Sequence, residues 1–143
     1  MKVCHKVLIN DISIAFVNLC PHPINVGDNL IIPESKWIAR KVSPGGSSYT
    51  KSHTDVLDFG DLEVRRMKEL VYVKPLNKVG KLPFPPEVEN TFFIVSSLTA
   101  SYLGHRKDIL VPDDKNTKKG KVIRGLLAFN KETYKELERL LCK

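Results

Sequence analysis

The side chains best suited to chemistry in this chain stand where its apolar runs end. Asn18 and His22 bracket Pro21, so the chain leaves the run Ser13–Leu19 in a fixed direction with two hydrogen-bonding groups at its exit. Histidine as a residue type has a reference pKa of about 6.5, so His22 has the chemistry of a general base. The plainer reading is a turn that Asn18 caps and in which His22 bonds to backbone, and the residue types favour it. Ser96 and Ser97 follow the apolar run Thr91–Val95 and precede a helical stretch, an order in which helix-start amides attract anions. No Walker A or GxGxxG loop precedes that helix, and no Gly-x-Ser-x-Gly elbow is present, so a helix cap is the favoured role for Ser96. Arg106 and Asp108, two apart at the start of the next apolar run, share one face of a strand. Such an arginine either pairs with a neighbour or holds a carboxylate or phosphate bidentately. With Arg40, these residues make a candidate ligand set (Asn18, His22, Arg40, Ser96, Arg106 and Asp108) for a small anion such as a nucleotide or metabolite.

Two further groups compete with that set. Asp58, Asp61 and Glu63 surround Gly60; paired carboxylates serve metal or glycosidase sites, but aspartates beside glycine are ordinary turn chemistry. Lys115, Lys118, Lys119, Lys121 and Arg124 form a basic tip, and Arg65, Arg66 and Lys68 a second basic run. Such charges can contact nucleic-acid phosphates. The tip lacks the interleaved aromatics of a stacking surface, and Asp113 and Asp114 dilute its charge, so a solvated hairpin tip is the simpler reading. Cys4, Cys20 and Cys142 match neither a disulfide framework nor zinc spacing. They read as reduced thiols, with Cys20 packed as a small apolar residue. No catalytic set, cofactor or metal is expected.

Stepping from these residues to the elements that must hold them, the first third reads as β structure. Lys6–Asn10 and Ser13–Leu19 are strands, the second with Ile14, Phe16 and Asn18 on one face and Ala15, Val17 and Leu19 on the other, so it is covered on both sides. Pro21 and Pro23 end it. Ile24–Val26, a turn at Gly27–Asn29, Leu30–Ile32 and a strand Trp37–Val42 follow. Ser43–Thr54 shows no period; Asp55–Phe59 and Glu63–Val64 flank a bend at Gly60-Asp61; Val71–Val73 favours strand; Lys74–Pro86 is irregular. Thr91–Val95 reads as a buried strand and Asp108–Val111 as the next strand, with a short helix near 97–103 between them closed by Gly104. Val122–Phe129 returns from the basic tip, and Asn130 caps a final helix, 131–142. The apolar stripe of that helix is Tyr134, Leu137, Leu140 and Leu141. The expected fold is α+β: one domain over 1–143, a mostly antiparallel sheet and two helices.

Several signatures occur in order: Val17-Asn18-Leu19-Cys20-Pro21-His22-Pro23-Ile24, Ile32-Pro33-Glu34-Ser35 leading to Ile38–Val42, Asp58–Val64, Lys81–Pro85, Thr91–Ala100 and Arg106–Asp113. This order resembles a family of small proteins from phages, prophages and bacterial genomes that open on an Asn-Leu-Thr-Pro-His motif. The likeness spans roughly residues 13 to 125. Cys20 stands where the family has Thr, a Glu-Ser-Lys run replaces its Ser-Gly, and the basic stretch at Arg65–Lys68 is longer than its pattern. The resemblance implies a viral or mobile-element setting and no particular reaction.

Composition bounds the rest. The 143 residues are 42% apolar and 27% charged, with 23 Lys and Arg against 16 Asp and Glu, a net charge of +7. A core can form, and the apolar stretch Ile12–Gly27 is too broken for a membrane helix, which needs about 20 apolar residues. His5 and Lys6 fall where a signal peptide would be apolar, so a cytoplasmic protein is expected, in host cytoplasm if viral. The functional expectation is a non-enzymatic accessory protein binding a small anionic ligand or a host protein. The alternatives are a nucleic-acid binder using its basic surface and a small hydrolase with His22 as base. A dimer covering an edge strand is compatible with the sequence.

Overall fold

The computed structural model describes residues 2–26, 30–41, 53–67, 71–113, 117–118, 121–122 and 125–142; for 53–56, 64–67, 117–118 and 121–122 it describes the backbone alone. Val42–Ser52, Lys115, Lys119 and Arg124 lie outside the described residues, as does the turn expected at Gly27–Asn29. The first element is a hairpin of β1 (His5–Ile9) and β2 (Ile12–Asn18), with Ile9 opposite Ile12. Asn10 and Asp11 form its two-residue turn with φ of 51° and 64°. Asn and Asp tolerate that left-handed region best among side-chain-bearing residues, and two such residues give the turn whose twist matches the strands. The side chain of Asn10 also donates to the carbonyl of Leu141 at 3.1 Å, fastening the hairpin to the end of the chain.

β2 then pairs in parallel with β10 (Thr91–Ile94), Ala15 opposite Thr91 and Asn18 opposite Ile94. β10 pairs in parallel with β11 (Ile109–Pro112), and β11 antiparallel with β14 (Leu126–Ala128). The central sheet therefore runs β1-β2-β10-β11-β14. The fold is broadly α+β, as expected, but the sheet is mixed and not mostly antiparallel. Its central pairs are parallel because their connections cross over: residues 19–90 link β2 to β10, and α1 (Ser97–Ala100) links β10 to β11. α1 is shorter than expected. After Ala100 the chain tightens into turns, with Tyr102 bonding back to Thr99 and Leu103 to Ala100, and Gly104 does not take the left-handed conformation of a helix stop.

Strand alternation sends side chains to two faces, and each face has its own cover. Val17, Phe93, Val95, Ile109 and Val111 pack against Ala39 of β5 (Trp37–Lys41), Val71 and Val73 of β8 (Val71–Pro75), and Ala100 of α1. β5 and β8 form a small antiparallel sheet with β9 (Leu82–Pro83). On the other face Ile14, Phe92, Ile94 and Leu110 meet Ile24 of β3 (Ile24–Val26), Ile32 of β4 (Leu30–Ile32), and Leu140 of α2 (Lys131–Leu141). Two satellite hairpins complete the described chain: β6 (His53–Asp58) with β7 (Glu63–Met67), and β12 (Thr117–Lys118) with β13 (Lys121–Val122). The expected bend at Gly60-Asp61 is the turn of the first. Asn130 caps α2 as expected: its Oδ1 accepts from the Thr133 amide at 2.8 Å, while its amide group donates to the carbonyls of Gly104 and Arg106.

Candidate functional site

Asn18 is fully buried at the carboxyl end of β2. Its Oδ1 accepts from the Cys20 amide at 2.9 Å, and its Nδ2 donates to the carbonyls of His22 (3.0 Å), Ile32 (3.3 Å) and Pro33 (3.3 Å). Its backbone carbonyl accepts from the Ser35 hydroxyl at 2.6 Å. One side chain thus satisfies backbone groups from two segments, residues 20–22 after β2 and Ile32-Pro33 at the end of β4. Asn18 is a fastener between β2 and the β3–β4 hairpin, with its amide engaged inward. His22 is exposed, and its Nδ1 lies 3.0 Å from the Pro23 carbonyl.

Arg106 and Asp108, 8% and 4% exposed, form a closed pair. Nε and Nη2 of Arg106 donate to the two Asp108 oxygens at 2.9 and 2.6 Å, and Nη1 donates to the Pro85 carbonyl at 2.6 Å. The guanidinium lies 4.8 Å from the Phe84 ring centre and 5.8 Å from that of Phe93. The bidentate geometry that could have held a ligand anion is taken up by Asp108. Ser96 caps α1, accepting from the Thr99 amide at 3.3 Å and donating to Thr99 Oγ1 at 2.9 Å. Arg40 is exposed on β5 opposite Tyr72.

The parallel register separates these residues. Asn18, His22 and Ser96 lie at the carboxyl ends of β2 and β10, whereas Arg106 and Asp108 precede β11 at the amino end of the same sheet. The six expected ligand residues therefore do not form one pocket. Among the turn acids, Asp58 Oδ1 accepts from the Gly60 amide at 2.9 Å, a turn role. Of the basic tip, Lys118 and Lys121 stand opposite each other in the β12–β13 hairpin; Lys115, Lys119 and Arg124 fall outside the described residues.

A different place has the form of a binding site. α2 and the β3–β4 hairpin sit on the same face of the sheet, and a cleft of about 530 Å³ is lined by residues of both. Its walls include Val7, Phe16, Leu110, Leu126, Ala128 and Leu137, with His5 and Tyr134 supplying polar edges. An apolar recess of about 330 Å³ continues from it past Ile9 and Leu141, sharing Val7, Phe16, Tyr134 and Leu137. At the Tyr134 end, an open depression holds Lys131 and Lys135. Concave, apolar and edged by a few polar groups, this is the usual character of a binding pocket.

The cleft exists because the apolar stripe of α2 is wider than its seat. Thr133 and Leu140 are buried and Leu137 half-buried, but Tyr134 and Leu141, about a quarter-turn round the helix, are 61% and 57% exposed. The stripe was legible in the sequence; its uncovered edge was not. A second, polar cleft of about 340 Å³ lies at the amino end of β10 and β11, lined by Glu89, Lys107, Asp108, Glu136 and Arg139. Arg139 donates hydrogen bonds to the Glu136 carboxylate, and these, aided by the carboxylate's charge, raise the Arg139 pKa further above its already high value. No family model, curated protein or solved structure matches the chain.

Proposed function

We propose that this chain is a non-enzymatic binding protein whose cleft beside α2 takes a protein segment carrying apolar side chains and carboxylates. The observation that carries the reading is the apolar lining of that cleft, with Lys131 and Lys135 at its Tyr134 end. Apolar walls favour side chains removed from water, at roughly 25 cal/mol per Å², while the two ammonium groups favour a negatively charged flank. The small anion expected from the polar residues fits this arrangement only if it carries an apolar body. Under the resemblance to phage and prophage proteins, such a module would serve as an accessory binder.

Anilinonaphthalene sulfonate, an apolar ring system with one anionic group, is the probe. Its fluorescence is expected to rise on the folded chain and to be displaced by a peptide alternating Leu, Phe and Asp, but not by one with Lys in place of Asp. Tyr134→Glu changes an exposed helical position, keeps helix propensity and puts a like charge at the cleft edge; it is expected to abolish both effects with an unchanged circular dichroism spectrum. Val7→Arg supplies an independent block. Equal dye binding by both folded variants, or indifference to peptide charge, would overturn the reading.

A further inference from the structure

The β6–β7 hairpin carries a feature that the cleft does not use. Phe59 and Leu62 flank a two-residue turn, Gly60-Asp61, with the Phe59 amide donating to the Leu62 carbonyl at 2.9 Å. Gly60 has φ of 87°, the left-handed angle that a tight hairpin of this kind asks of its first central residue, and glycine adopts it without strain. Directly opposed residues point to the same side, and so do residues two apart along a strand. Leu57, Phe59 and Leu62 therefore lie on one face of the tip, where they are 61%, 66% and 63% exposed. Asp58 and Glu63, opposite one another in register, lie on the other face, and Asp61 is at the turn itself. Asp58 to Glu63 is thus an apolar and acidic tip, with three carboxylates and no Lys or Arg, on a chain whose net charge is +7.

These are the two attributes that the cleft calls for, and among the described residues none lining the cleft comes from β6 or β7. Resting on the reading of the cleft given above, we infer that its occupant is the β6–β7 tip of a second copy of this chain. Phe59 and Leu62 enter between α2 and the β3–β4 hairpin, and the Asp61 carboxylate, at the turn itself, faces Lys131 and Lys135, while Asp58 and Glu63 stay on the outer face of the tip. Tip and cleft are different surfaces, so the contact is head to tail: an open assembly of any size still offers one unused tip at one end and one unused cleft at the other. Such a contact generates a ring if the rotation between copies closes and a filament if it does not. A dimer built on the edge of β1 would instead be symmetric and stop at two.

The test is sedimentation velocity on the full chain over a range of concentrations. The wild type is expected to pass beyond the dimer as concentration rises. Phe59→Asp, at an exposed tip position, and Tyr134→Glu, at the cleft, are each expected to weaken association by roughly tenfold or more, the factor that 1.4 kcal/mol provides. Mixed together, they are expected to form a one-to-one heterodimer and nothing larger, because the first retains a sound cleft and the second a sound tip. If Tyr134→Glu does not fold, Val7→Arg takes its place. A wild type that stays monomeric, one that stops at a dimer, or a mixture that fails to recover association would each overturn the inference. The dye assay separates the two readings. Phe59→Asp retains dye binding in either case, and a monomeric chain that still releases dye to the acidic peptide defeats self-association while the cleft stands.

Discussion

The Arg106–Asp108 pair gives the most demanding test of how this fold is held. Asp108→Asn keeps the shape of the side chain but removes its charge, leaving a guanidinium that is 8% exposed with the Pro85 carbonyl at 2.6 Å and two aromatic faces as its remaining partners. The amide that replaces one carboxylate oxygen also turns N–H groups toward the arginine's own donors. Breaking a buried pair from one side costs about 3–5 kcal/mol, a large part of the roughly 5–15 kcal/mol by which a domain is stable. At about 3 °C per kcal/mol for a chain of this size, Tm should fall by about 10–15 °C. Arg106→Met should cost a similar amount by stranding the carboxylate. The double variant Arg106→Met, Asp108→Leu removes both charges together and keeps apolar contact with Phe84 and Phe93. Its cost is therefore expected to lie well below the sum of the singles, at about 1–3 kcal/mol, part of it the lost bond to Pro85. Urea unfolding followed by circular dichroism of the wild type, Arg106→Met, Asp108→Leu and the double variant, with equal slopes across the four proteins, yields the coupling energy directly. A cost below about 1 kcal/mol for Asp108→Asn, or additivity of the two single variants, would refute the argument that the pair is a desolvated clamp.

Three smaller perturbations bear on other parts of the structure. Asn18→Ala strands the carbonyls of Ile32, Pro33 and His22 and the amide of Cys20, and is expected to cost about 3 kcal/mol in urea unfolding. His22→Ala, at an exposed ring, should stay within about 0.5 kcal/mol. Asp11→Gly relieves a side chain held at φ 64° and should stabilise the chain by several tenths of a kcal/mol, read as a rise in Tm.

Local patterns in the chain already determined most of its elements. Alternation in Ser13–Leu19 announced a strand covered on both faces, as Val17 and Ile14 in separate cores confirm. The Asn130 cap, the helix after it and the turn at Gly60-Asp61 were equally plain, because caps, stripes and turns depend on residues within a few positions of one another. Strand direction is a different matter. Whether β2 runs with β10 or against it depends on how 72 residues between them, Leu19 to Asn90, route the chain, and no local pattern encodes that path.

The same boundary divides the site. Asn18, Ser96, Arg106 and Asp108 were singled out by residue type, and each has a specific partner in the structure. Tertiary packing supplied those partners from within the chain: backbone carbonyls for Asn18, a cap for Ser96, and the two members of the buried pair for each other. A sequence shows that a polar side chain needs a hydrogen bond, since burial without one is costly, but not whether the protein or a ligand provides it. The cleft was hidden for the complementary reason. Val7, Phe16, Leu126 and Leu137 read as core, and an apolar residue facing a gap has the same identity as one facing a packed neighbour. Only the cleft that the fold leaves beside α2 turns them into a surface that something else can fill.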